Sequence, residues 1–287
     1  MRRVVLIIVM GLMGSFLAMG PSAAATPPRV QVPTVSCGAP LPKPGGGTWV
    51  CTFADEFNGS SLDRTKWVPQ VNQVTGSGVT RSCWMDNPNN VAVGGGMLQL
   101  TVRRLALPIW CYGSLSWYTS GSVSTYRKFS QQYGRFEARF KNAATTKPGL
   151  QEAFWLWPDD RAPSWTLWPA AGEIDVVETY SQYFYLAIPY LHYTANNNGG
   201  PIPGVTTAWN CLAARGVYNT YALTWTPTSL TIDVNGKTCL VNKSGDPAFK
   251  KAYIAAFTAT VGLDSNVVRW NTPMPATMSV DYLRVWR

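Results

Sequence analysis

The segment Gly134–Lys141, GRFEARFK, sets Phe136, Ala138 and Phe140 on one parity and Arg135, Glu137, Arg139 and Lys141 on the other. In an extended chain successive side chains point to opposite faces, so this octapeptide is a strand with one dry face and one wet face. The same two-residue period recurs on both sides of it. Upstream, MLQLTV places Leu98, Leu100 and Val102 on one face; downstream follow YALTWTP and SLTIDVNGKTCLV, and MSVDYLRVW closes the chain. The second of these downstream segments carries Asn235-Gly236, the dipeptide that suits a type I′ hairpin turn. AFWLW, Ala153 to Trp157, is apolar on both parities, as expected of a central strand with a layer on either side. DPAFKKAYIAAF, Asp246 to Phe257, is the one tolerable candidate for an amphipathic helix, and no internal repeat is evident. Many short alternating segments joined by Gly- and Pro-rich turns predict an all-β fold, a sandwich of two antiparallel sheets.

The chain has 287 residues, and its first 25 differ in character from the rest. Arg2 and Arg3 precede an apolar run from Val4 to Met19, and small residues Ser22 to Ala25 follow. This is the pattern of a secretory signal peptide cleaved after Ala24 or Ala25. The run is too short and too interrupted by Gly11 and Gly14 for a membrane anchor. Residues 26–47 form a Pro- and Gly-rich leader without periodicity, and residues 48–287 are expected to make a single domain. Six cysteines, none in a CxxC pair, agree with export and disulfides. With a single histidine, His192, a zinc site is not expected.

Without Arg2 and Arg3, 22 basic residues stand against 15 acidic ones, a formal charge of +7. The basic residues are scattered, which argues against nucleic acid as a partner. Solubility accounts for the charge; attraction to an anionic polysaccharide is the sharper reading. Thirteen tryptophans and thirteen tyrosines exceed what a core normally needs. Their flat rings with polar handles make carbohydrate a natural ligand for the exposed fraction.

WPAAGEIDVVETY, Trp168 to Tyr180, holds Glu173, Asp175 and Glu178 within six residues of a β-branched run. On a regular strand Glu173 and Asp175 share a face and Glu178 points the other way; one inserted residue, a β-bulge, would bring all three together. Buried carboxylates repel and lose hydration, so stability does not explain them. A calcium site, a solvated edge strand and a glycoside-cleaving pair of carboxyls each account for the triplet taken alone.

The triplet also resembles the E-x-D-x-x-E signature of glycoside hydrolase family 16, the laminarinase-like endo-β-glucanases. FADEFNGSSLDRTKW, NNVAVGGGMLQLTVRR, SGSVSTYRKFSQQYGRFEARFK, GLQEAFWLWP, LHYTANN, YALTWTPTSLTIDVNGK and MSVDYLRVW resemble successive family segments in order, from about Gly47 to Arg287. The resemblance implies a concanavalin-like jelly roll with a cleft on its concave face. It implies a retaining endo-hydrolase of a β-linked polysaccharide, with β-1,3-glucan as the expected substrate. A wall-remodelling transglycosylase on the same site and a lectin-like binding protein are the alternatives.

Carried over by position, Glu173 is the expected nucleophile, Asp175 the acid that tunes its neighbours and Glu178 the general acid/base. Trp168 corresponds to a tryptophan on which the sugar next to the scissile bond stacks. His192 corresponds to a histidine near the acid/base, and Trp155 and Asn90 to cleft positions. Two segments depart from the family: Gln151-Glu152 stands where Trp-Pro is frequent, and TATVGLDSN replaces a Gly-rich strand end. No catalytic cofactor is expected. The resemblance further implies a structural calcium on the convex face, held by Asp281, Glu56 and a carbonyl near Gly95. The expected disulfides are Cys83–Cys111, Cys211–Cys239 and Cys37–Cys51. The protein is expected to be exported, to act on polysaccharide as a monomer and to have no membrane partner after signal cleavage.

Overall fold

The computed structural model describes residues 36–71, 82–111, 113–162, 167–196 and 200–287. The expected signal peptide, 1–25, and the first part of the leader lie outside them. Among the described residues no helix is long and apolar enough to cross a membrane. The described residues form sixteen strands: β1 (Cys51–Asp55), β2 (Val68–Pro69), β3 (Cys83–Trp84), β4 (Val91–Val93), β5 (Leu98–Cys111), β6 (Ser114–Ser124), β7 (Gly134–Lys141), β8 (Leu150–Pro158), β9 (Glu173–Tyr180), β10 (Leu186–His192), β11 (Cys211–Leu212), β12 (Asn219–Trp225), β13 (Leu230–Val234), β14 (Lys237–Asn242), β15 (Tyr253–Val261) and β16 (Ala276–Trp286).

The strands form a jelly-roll sandwich. One sheet runs β11-β10-β9-β8-β15-β6, and the other runs β5-β16-β7-β12-β13-β14, with the long β5–β6 hairpin passing from one to the other. The pairings are antiparallel except that of β3 with β6. Alternation decides which side chains meet between the layers. Phe136, Ala138 and Phe140 of β7 and Leu98 and Leu100 of β5 are fully buried, and so are Phe154, Leu156, Ile174 and Phe257 of the opposite sheet. The rings of Phe140 and Phe257 meet edge to face across the gap, 6.4 Å between centroids. Burying an aromatic of this size from both layers stabilises the sandwich by roughly 2–3 kcal/mol each.

The Asn235-Gly236 turn joins β13 to β14 with both residues at positive φ, 51° and 75°, the left-handed pair that matches strand twist. All three disulfides pair as expected. Cys37–Cys51 ties the leader to β1, Cys83–Cys111 joins β3 to the end of β5, and Cys211–Cys239 joins β11 to β14.

Two expectations are corrected. The helix candidate at 246–257 is a 3-10 turn, Pro247–Phe249, capped by the Asp246 carboxylate, which then runs into β15. An apolar run buried on both faces has no period to separate strand from helix, and pairing between β8 and β6 makes it a strand. AFWLW is a central strand, but only Phe154 and Leu156 face the second layer. Trp155 and Trp157 stand on the outer face, where Trp157 keeps 37% of its surface exposed.

Candidate active site

The outer face of the β10-β9-β8-β15-β6 sheet carries the candidate site, and an irregularity in β9 builds it. Against β8, Val177 faces Phe154 and Asp175 faces Trp155, so Val176 is an extra residue with no partner of its own. Against β10, Glu178 faces Ile188 and Asp175 faces Tyr190, three residues answered by two. Val176 and Val177 both remain fully buried. The bulge therefore returns Glu178 to the face of Glu173 and Asp175. The question raised by the parity of these acids is answered by one inserted residue.

Each carboxyl meets a different set of neighbours. Trp168, at the start of the turn that leads into β9, donates from Nε1 to Oε2 of Glu173 at 2.7 Å. Gly172 lets the turn enter the strand: it sits at φ +96°, and a Cβ there would run into the Tyr253 hydroxyl. His192 faces Glu173 in the β9–β10 ladder and brings Nε2 to 3.4 Å from Oδ2 of Asp175. It thus lies on the Glu173–Asp175 side of the site, close enough to Glu178 for the two charges to influence each other. Its ring packs between Trp168 and Tyr190, with centroids 4.9 and 4.1 Å away. Glu178 accepts a 2.6 Å hydrogen bond from Nε2 of Gln151 and a further one from the Tyr180 hydroxyl.

Burial raises all three carboxyls above the ordinary carboxylate range. For Glu173 the loss of water is the largest cause and the charge of Asp175 adds to it, while His192 and the Trp168 indole act in the opposite direction. Asp175 is pushed well up by burial and by the charge of Glu178. Glu178 is raised by burial and held back by Tyr180, Gln151 and His192. His192 is lowered by burial, against the pull of Glu173 and Glu178, so its imidazole is neutral at pH 7. Glu173, Asp175 and His192 gather their polar atoms within 4.8 Å. Within this set Glu173 accepts from the Trp168 indole and His192 stands 3.4 Å from Asp175.

The remaining expected residues divide. Trp155 faces Asp175 across the β8–β9 ladder and donates from Nε1 to Thr258 at 2.9 Å, so its ring lies on the floor of the site. Asn90 is engaged by other residues. It is 1% exposed, and its amide donates to the Thr101 carbonyl at 2.8 Å and to Thr119 at 3.0 Å, which makes it a packing residue. The expected calcium ligands are also corrected. Glu56 is held bidentately by Arg284 at 2.7 and 2.9 Å, and Asp281 is hydrogen-bonded to Arg139. Guanidinium groups thus pair with both carboxylates, and Gly95 serves the β4–β5 turn at φ +63°.

Sequence reasoning missed two neighbours of Glu178. Tyr180 was findable, because it lies two residues on and shares the face. Gln151 was visible only as a departure from the frequent Trp-Pro. Its partner in that departure, Glu152, points inward to a buried ion pair with Arg215, at 2.7 and 2.9 Å.

Residues 79–277 match the family Glycosyl hydrolases family 16. The chain is 26% identical over 264 residues to the glucan endo-1,3-beta-glucosidase A1 of Niallia circulans, covering 82% of this chain and 37% of that protein. It is 26% identical over 250 residues to the keratan-sulfate endo-1,4-beta-galactosidase of Sphingobacterium multivorum, covering 82% of this chain and 54% of that one. It thus spans from about a third to about half the length of these curated relatives. Among solved structures, the laminarinase from Rhodothermus marinus superposes with a TM-score of 0.71 at 26% identity, over 83% of this chain and 97% of that one. The chain belongs to glycosyl hydrolases family 16.

Proposed function

We propose that this family 16 chain is an endo-hydrolase of a β-linked glucan, with β-1,3-glucan as its substrate, and that it cleaves with retention of configuration. The observation that carries the reading is the extra residue at Val176, which turns Glu178 to the face of Glu173 and Asp175. Two carboxyls facing one sugar ring are what a double displacement needs.

Glu173 attacks the anomeric carbon while Glu178 gives its proton to the departing glycosidic oxygen. Glu178 then takes a proton from water, which attacks the same carbon and frees the Glu173 carboxylate. Glu173 is assigned as the nucleophile by its place as the first acid of the family signature; the Trp168 indole and His192 favour its charged form against the burial that raises it. Asp175 and Glu178 are both raised by burial, and the charge of Glu178 adds to the rise of Asp175. Trp168 and Trp155 offer rings to the sugar beside the cleaved bond, and His192 holds the wall between them. The protein is exported and works without a cofactor.

The names of the Niallia relative and of the Rhodothermus laminarinase support a β-1,3-glucan; the keratan-sulfate relative, with the excess of basic residues, supplies the competing anionic substrate. A reducing-end assay on β-1,3-glucan, mixed-linkage glucan and a sulfated galactan decides between them, and NMR of the first product gives the anomer. β-1,3-Glucan should be cut, with the β-anomer appearing first. Cleavage of the galactan alone overturns the substrate, and an initial α-anomer overturns retention.

A further inference from the structure

Gln151 stands at the second position of β8, opposite Tyr180 of β9 and flanked on its other side by Thr260 of β15. The residue of β8 that directly faces Glu178 is Ala153. With no side chain beyond Cβ, Ala153 leaves the space above it open. Gln151 leans along the strand into that space and donates to Oε1 of Glu178 at 2.6 Å, a charge-assisted bond when the carboxyl is ionised. The groups that surround Glu178 on this face come from four strands. β9 supplies Glu173, Asp175 and Tyr180, and β10 supplies His192 and Tyr190. β8 and β15 offer only neutral side chains, Gln151, Ala153, Thr258 and Thr260. Among the described residues only His192 acts on Glu178 through a positive charge, and an amide and a phenol supply its hydrogen-bond donors.

We propose that Gln151 is the positioning residue of Glu178, fixing which oxygen carries the acid proton and the pH at which the group passes from acid to base. This rests on the assignment of Glu178 as acid/base. A side-chain amide nitrogen donates and has no lone pair to accept with. Oε1 is therefore kept for Gln151, and the proton delivered to the glycosidic oxygen rides on Oε2. The same bond is strongest to the charged carboxylate, so it favours the base needed in the second step and limits how long the acid survives as pH rises. An amide does not titrate, and its donation persists over the whole working range. A tryptophan at this position, as in the frequent Trp-Pro, would bring a ring where this chain brings a small donor.

The test is the pH profile of kcat/KM on an aryl β-oligoglucoside with a poor phenol leaving group, whose basic limb reports loss of the acid form of Glu178. Gln151→Leu keeps the volume and removes the donor, so the basic limb should move up by about one pH unit, the size of one charge-assisted hydrogen bond. Gln151→Glu places a like charge beside Glu178 and should move it further up. A limb that stays in place in both variants, whatever happens to Tm, overturns the inference and makes Gln151 a packing residue. Glu178→Ala, its residual activity measured on the same aryl β-oligoglucoside, separates the two readings. If its profile keeps the basic limb, the limb is not that of Glu178 and the underlying assignment fails. If the limb vanishes there but does not move in the Gln151 variants, only this inference fails.

Discussion

The indole of Trp168 donates to Oε2 of Glu173 at 2.7 Å across five residues, and the same ring keeps 47% of its surface open to the cleft. One side chain thus faces both the nucleophile and the space for a sugar. The two contacts separate by substitution. Trp168→Phe keeps an aromatic surface and loses the N–H, so kcat should fall by about tenfold or more with little change in KM. Trp168→Ala loses both and should also raise KM. Equal KM effects in the two variants would show that the ring does not hold substrate.

Glu173 and Glu178 act as one unit but at different moments, and azide distinguishes them. Both alanine variants should nearly abolish polysaccharide cleavage, about 10³-fold or more. Glu178→Ala retains the nucleophile, so with a good leaving group azide should give a β-glycosyl azide. Glu173→Ala leaves room beside the anomeric carbon, so azide should attack a glycosyl fluoride directly and give the α product. The opposite anomers would exchange the two roles.

Asp175 is buried and its carboxyl is pushed well above the ordinary range, first by burial and then by the charge of Glu178. Between the unfolded value, about 3.9, and this raised one the folded state holds a proton that the unfolded chain has lost. Stability from this group is therefore present at low pH and is lost as pH rises through the folded value. Asp175→Asn removes the penalty. The variant should melt about 2 °C or more above the parent at pH 8 and show no advantage near pH 3.5, while losing activity and keeping the stereochemistry. A lower Tm than the parent at pH 8 would refute this account of the cluster.

Behind the site, Glu152 and Arg215 form a bidentate pair with side chains 3% and 2% exposed, and Thr179 donates to the same carboxylate at 2.9 Å. Arg215→Ala leaves a buried carboxylate without its partner and should cost about 3–5 kcal/mol in urea unfolding. The double variant Glu152→Leu, Arg215→Met should recover much of that loss, because no charge is left unpaired. An unchanged unfolding midpoint in Arg215→Ala would mean that water reaches the pair.

What was legible in the sequence is what near neighbours decide. The parity of Phe136, Ala138 and Phe140 announces a dry face, Asn235-Gly236 announces the hairpin, and three acids on one β-branched run announce a site. These follow from the two-residue period of an extended chain and from the few turns that accept positive φ. The order of the segments pointed to the family, and through it to Trp168, Trp155 and His192.

Tertiary pairing decided the rest. A period of two sends Glu178 into the core, and only the registers of β9 against β8 and β10 reveal the unpaired Val176 that turns it outward. Asp246–Phe257 has apolar residues on every side, so its identity as a strand rests on Thr125, Gln131 and the β8 ladder, far away in the chain. The carboxylates of Glu56 and Asp281 look like cation ligands until Arg284 and Arg139 arrive from other positions in the sheet. Asn90 reads as a cleft residue until Thr101 and Thr119 claim its amide. Gln151 reads as a mere exception until the fold places it beside Glu178. Local period tells which way a side chain points relative to its neighbours; which partner it meets there depends on chain segments brought together by burial, and no window of sequence contains them.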